Sequence, residues 1–129
     1  MNFSPTKEQQ MIRKLVREFA EKDIKPIAAD IDEQARFPYA TVAKAGELGL
    51  LGMPFPKQYG GCETDYVAYA IAIEELSRVC GSHGVIIQTH CALCCWPILN
   101  YGTDAQKNKY LPGLLSGKKL GAFGLTEPN

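Results

Sequence analysis

Three cysteines and a histidine crowd into six residues, His90-Cys91-Ala92-Leu93-Cys94-Cys95, and the chain also carries a carboxylate pair, Glu74-Glu75, and a second histidine, His83. Cys91-x-x-Cys94 has the spacing of a redox pair. A reactive pair of that kind sits at a helix N-terminus after a strand, where the helix dipole lowers the thiol pKa. The surrounding run, "HGVIIQTHCALCCWPILNY", reads instead as the middle of an apolar helix, so inert buried thiols are expected. Adding His90 makes a possible soft-metal set. Adjacent Cys94 and Cys95 point to different faces of a helix, however, which suits tetrahedral coordination badly, and no metal site is assigned. Glu74 and Glu75 interrupt another apolar run. A buried carboxylate of raised pKa would be a candidate general base. The preferred reading is an ion pair, with one carboxylate in water and the other on Arg78, four residues on from Glu74. His83, near a helix start, reads as a surface or capping histidine. No GxGxxG, GxxxxGK[ST] or GxSxG pattern occurs, so the residue types alone make no complete active site and no catalytic residue is assigned.

The elements that must position these groups are mostly helical. At 129 residues and 46% hydrophobic, the chain is long enough to bury a core. Lys plus Arg balances Asp plus Glu at 14 each, which gives no electrostatic case for nucleic acid or an anionic membrane. No apolar run reaches the roughly 18 residues of a membrane span. Five cysteines, three of them bunched, fit reduced thiols better than a disulfide framework. The start, "MNFSPTKEQQ", lacks the apolar stretch of a secretory signal.

Thr6 with Gln9 has capping-box spacing and opens a helix to about Ile24, stopped or kinked by Pro26, with Met11, Ile12, Leu15, Val16 and Phe19 on one buried face. Pro38 suits the first turn of a second helix through Leu48, with Gly49 as its stop. "GLLGMPFPKQYGG" is then an ordered loop or set of turns. Thr64 is the expected N-cap of a third helix, "DYVAYAIAIEELSRVC", and a fourth of the same buried kind follows Gly81-Ser82, kinked or braced near Pro97. Thr103 with Gln106 repeats the capping-box spacing and opens a fifth helix towards Leu111, disturbed by Pro112-Gly113 and closed by Gly117. Leu120 to Leu125 reads as a strand, and Thr126 to Asn129 as the start of a turn with nothing to turn towards, as at a cut inside a longer polypeptide. The expected fold is an all-α, up-and-down helical bundle over residues 1–117, with residues 118–129 beginning a β-domain.

"GAFGLTEPN", preceded by "KYLPGLLSGKKL" and "PILNYGTDAQK", resembles the acyl-CoA dehydrogenase family, and the resemblance covers the whole chain. "YGG" at Tyr59 to Gly61, "EELSR" and "GVI" fall in that family's order, and Phe123-Gly124-Leu125-Thr126-Glu127-Pro128 is the most specific motif. The likeness is greatest to short-chain, butyryl-CoA-type members. It implies that the terminal strand opens a middle β-domain and lies against the isoalloxazine ring of FAD, with Phe123, Gly124, Leu125 and Thr126 at the cofactor. Backbone groups of Leu125 and Thr126 suit the flavin's polar edge, and Gly124 lets a flat ring approach. It further implies α,β-dehydrogenation of a short-chain acyl-CoA, in which a carboxylate removes the α-proton, hydride passes to flavin N5, and electrons go on to electron-transferring flavoprotein. The family's catalytic glutamate lies in a C-terminal helical domain, and none of Glu74, Glu75 or Glu127 matches it. Part of the acyl pocket is implied on the fourth helix, where Ile86, Thr89 and Leu93 share one face. A homotetramer in the cytoplasm or the mitochondrial matrix completes the expectation, with residues 1–129 inactive by themselves. An acyl-CoA oxidase-like flavoenzyme and a non-catalytic helical interaction module are the alternatives.

Overall fold

The computed structural model describes residues 4–127, and the turn expected at Pro128-Asn129 lies outside the described residues. Helix α1 is Lys7–Phe19. Its start is the capping box expected: Thr6 Oγ1 accepts the Gln9 N–H at 3.2 Å, and Gln9 Oε1 accepts the Thr6 N–H at 3.0 Å. Gln9 Nε2 also donates to the Asp65 carboxylate, and Asp65 accepts the Ala68 N–H at 2.7 Å to cap α4, Tyr66–Val79. Asp65 therefore takes the cap expected of Thr64, whose hydroxyl donates to the Met53 carbonyl at 2.7 Å and pins the preceding loop. One glutamine joins two helix starts, so α1 and α4 run side by side in the same direction. The buried stripe of α1 is Gln9, Val16 and Phe19 with Ile12 partly covered; Met11, at 71% exposure, and Leu15 lie outside the stripe they were expected to share.

Proline bends helices here by changing their pitch. Before Pro26 the chain makes a π-helical turn over Ala20–Ile24, passes through the proline in a 3-10 turn over Lys25–Ile27, then continues as α2, Ala28–Glu33, instead of stopping. A wide turn moves the preceding carbonyls away from a ring that carries no N–H. Helix α3 is Tyr39–Glu47, with Pro38 at its cap, and it ends where Gly49 takes φ 76°. Helix α5, Gly81–Thr89, follows α4 with only Cys80 between, and Gly84 packs against Ser77. A second π segment, His90–Cys95, precedes Pro97 and leads into α6, Trp96–Tyr101. Helix α7, Asp104–Leu115, repeats the capping box at Thr103 and runs through Pro112, because Leu111, Leu114 and Leu115 are all buried. Each such side chain contributes roughly 1.5–3 kcal/mol of burial, which offsets the ~3 kcal/mol cost of an interior proline. Gly117 at φ 76° then ends the helix.

The expected strand is absent among the described residues. Leu120 to Leu125 has no ladder, because a strand exists only by pairing and no strand pairs with it among the described residues. The fold is all-helical, with the core drawn from α1, α4, α5, the π segment, α7 and the loop residues Leu50, Leu51, Met53 and Phe55.

Glu75 locks α1 to α4. It is 1% exposed, and the Arg17 guanidinium grips both its oxygens, at 2.7 and 2.9 Å, while Arg78 Nε lies at 3.4 Å and Arg13 at 3.9 Å. Glu74 stays in water, 3.6 Å from Arg13. An ion pair was the right reading of the two carboxylates, but Arg78 meets Glu75, three residues away, and not Glu74. Hydrogen bonding from Arg17 holds the Glu75 carboxyl below the usual carboxylate range despite burial. Glu75→Gln is expected to cost about 2 kcal/mol, less than a fully buried pair because the arginines are half in water. A folded pKa depressed below the unfolded one contributes stability that is complete above about pH 4.3 and fades as pH falls through the folded value. Urea unfolding of both proteins across pH 2–7 checks this; the gap between them should close in acid.

Candidate functional site

The side chains of α5 and the chain after α7 enclose an open apolar groove of about 310 Å³. Val85, Ile86, Thr89 and His90 form its floor, Phe37 one end, and Leu120, Gly121 and Ala122 a strap along its side. The size lies at the lower end of small-molecule pockets. Among the described residues no carboxylate lines it.

Ile86 and Thr89 thus stand in the groove, and Leu93 does not; it is 41% exposed on another side. The spacing i, i+3, i+7 shares a face only in an uninterrupted α-helix. The π segment widens the turn after Thr89, which shifts Leu93 off that face; Cys94 lies beneath the strap. Phe123, Gly124, Leu125 and Thr126 lie on the segment that leaves the groove, with Leu125 75% exposed and nothing within 4 Å of where a Cβ on Gly124 would stand. Among the described residues, the backbone groups of Ala122 to Glu127 have no hydrogen-bond partner.

Both histidines are buried, each 1% exposed, which corrects the surface or capping position expected of His83. Thr41 Oγ1 donates to the Pro38 carbonyl at 3.1 Å, so it accepts from His83 Nε2–H at 2.7 Å, and His83 Nδ1 accepts from the Cys80 thiol at 3.2 Å. The chain of donors is complete, with the ring neutral and burial lowering its pKa. It ties the α4–α5 junction to α3. His90 Nδ1 accepts the Gly121 N–H at 3.0 Å. Its Nε2 lies 3.4 Å from Cys95 Sγ, and burial also holds this ring neutral. Nothing in the sequence near His90 marked it as a groove residue, because its partner lies 31 positions away.

The thiols are the inert kind. Burial pushes Cys91 up to about 12 and raises Cys94 and Cys95 as well, so all three stay protonated near neutrality. Among the described residues no group of three His, Cys, Asp or Glu side chains is arranged to hold a metal ion.

These features define a helical domain that walls one side of an apolar groove and sends an extended, unpaired segment away from it. The family model for the acyl-CoA dehydrogenase N-terminal domain matches residues 6–118, and the chain belongs to that family. The short-chain specific acyl-CoA dehydrogenase of Clostridium acetobutylicum is 54% identical over 129 residues, covering all of this chain and 34% of that protein. A chain in the structure described as electron transferring flavoprotein of Acidaminococcus fermentans superposes with a TM-score of 0.95 at 41% identity, over 99% of this chain and 34% of that one. The acyl-CoA dehydrogenase of Bacillus anthracis complexed with FAD gives 0.90 at 37% identity, over 97% of this chain and 22% of that one. The chain spans about a third of the length of the curated relatives it matches. No helix among the described residues is long and apolar enough to cross a membrane.

Proposed function

We propose that this chain is the helical N-terminal domain, to Gly117, of an FAD-dependent acyl-CoA dehydrogenase, and that from residue 118 it leads into a β-domain. The reaction is α,β-dehydrogenation of a short-chain acyl-CoA, with electrons passed to an electron-transferring flavoprotein by a homotetramer in the cytoplasm or the mitochondrial matrix. The carrying observation is the groove: apolar, about 310 Å³, and bordered by the segment that bears the family motif.

The residues present fit a flavin. Leu125 and Thr126 offer backbone N–H and C=O groups with no partner among the described residues, and the space around Gly124 admits a flat ring. FAD, when bound, supplies the two-electron acceptor. The chain's own residues do the rest: Ile86, Thr89 and Phe37 exclude water from a short acyl chain, and the Thr126 hydroxyl offers a hydrogen bond at the cofactor's polar edge. No described residue in the groove serves as the base.

The test is the protein at its natural length, loaded with FAD and mixed with acyl-CoAs of increasing length; bleaching of the flavin by butyryl-CoA is the expected result, and a protein that never takes up flavin refutes the reading. Thr89→Ala removes a methyl and a hydroxyl and so makes room for at least one further methylene. That is worth roughly 0.8 kcal/mol, about a fourfold shift in relative kcat/KM towards longer chains. Leu93→Ala, outside the groove, should leave the profile where it was. Equal shifts from both would move the acyl chain off this face.

A further inference from the structure

The strap's path over α5 needs an explanation, because little else holds it. After Lys119, whose N–H donates to the Gly113 carbonyl at 2.9 Å, the Gly121 N–H to His90 Nδ1 is the last hydrogen bond the chain makes among the described residues. We propose that His90 is a positioning residue, whose Nδ1 holds the Gly121 N–H and so sets where the strap, and the Phe123–Thr126 segment beyond it, stands over α5. The role of that segment at a flavin rests on the function proposed above; the tether itself does not.

Three features make this a built seat. First, Gly121 lies flush on the π segment: a Cβ there would overlap Cys94 Sγ and come within 2.5 Å of Cys94 Cβ, so only glycine can sit this low. Second, the acceptor is oriented from its other side. With Nδ1 accepting, the proton is on Nε2, which faces Cys95 Sγ at 3.4 Å. The ring thus joins the π segment to the strap. Third, Cys94 stands four residues on from His90, one turn along the same face, so one residue supports the strap where the other holds its N–H. The burial that holds the ring neutral also keeps Nδ1 an acceptor, since an imidazolium has two donors and none to receive an N–H.

A fixed strap has a consequence at the groove. Leu120 and Ala122 line it on either side of Gly121, so its width follows the length of one hydrogen bond. A segment that enters a cofactor site at a set height keeps its backbone groups in place before the ligand arrives, and preorganisation of this kind is felt in KM and in the cofactor's environment.

The experiment uses the protein at its natural length. His90→Leu removes the acceptor and fills the space; His90→Asn keeps an acceptor near the position of Nδ1. Amide hydrogen exchange at Gly121 should quicken about tenfold in His90→Leu, the worth of one ordinary hydrogen bond, and most of the protection should return in His90→Asn. Gly121→Ala should free the same amide by lifting it off Cys94. In the flavin-loaded protein, His90→Leu should raise KM for butyryl-CoA more than it lowers kcat and shift the flavin absorbance. Nitrogen-15 spectra of the unmodified protein should show His90 as the Nε2–H tautomer near neutral pH, a result that needs no variant to fold. An Nδ1–H tautomer, or Gly121 protection unchanged in a folded His90→Leu, overturns the proposal. If the tether behaves as described in a protein that neither takes up FAD nor oxidises butyryl-CoA, the positioning role stands and the proposed function falls.

Discussion

Gly61→Ala is expected to destabilise the chain by at least about 3 kcal/mol, the upper part of the range for overpacking a filled site. A Cβ at Gly61 would stand on the Phe55 peptide, 2.5 Å from the carbonyl carbon and closer still to its oxygen, and backbone cannot rotate out of the way. The loop has no slack elsewhere. Cys62, Glu63 and Thr64 donate in turn to the carbonyls of Gly52, Phe55 and Met53, each at 2.9 Å, and Gly61 itself donates to Pro56 at 3.1 Å. Leu51, Met53 and Phe55 hang from that loop into the core, so a shift at Gly61 becomes a shift of the core. Neighbouring Gly60 is the control: its φ of 89° disfavours a side chain, but nothing lies within 4 Å of a Cβ there. Gly60→Ala should therefore cost only about 1–2 kcal/mol. Urea midpoints of the two variants check the contrast, and equal losses would mean that strain at a positive φ, not contact, governs this loop.

Residues 1–129 expressed by themselves, mixed with FAD and butyryl-CoA, are expected to show no flavin bleaching and little FAD uptake. Two observations carry this. Among the described residues no carboxylate lines the groove, and general-base catalysis by a placed carboxylate is commonly worth 10²–10⁴-fold. Beyond Ala122 the segment makes no hydrogen bond within the described chain, so its backbone groups face water and are not held in register for a ligand. Absorbance at the flavin band after gel filtration measures uptake, and its loss on adding butyryl-CoA measures turnover. A retained yellow band that bleaches would place the whole active site within these residues.

What the sequence by itself determined is local. The capping boxes at Thr6 and Thr103 each need a hydroxyl and an amide three residues apart, and both partners come from the same helical turn. Gly49 and Gly117 end their helices because a positive φ is a property of one residue. The apolar run around Cys91 marked burial, and burial is the largest cause of those thiols' raised pKa. Family membership was legible too, because the motif from Phe123 onward is a string of neighbours.

The tertiary structure decided whatever needed a distant partner. Glu74 and Glu75 are indistinguishable in sequence; which one is buried depends on where α1 places Arg17, 58 residues from Glu75. Asp65 displaced Thr64 as a cap because the Met53 carbonyl claimed the threonine hydroxyl. Leu120 to Leu125 has a strand's composition, but no neighbour in this chain completes its ladder. The π turn before Pro97 is the subtlest case. One added residue turned Leu93 off the face of Ile86 and Thr89, because a helical face is a shared geometry that a single wide turn resets for every residue after it.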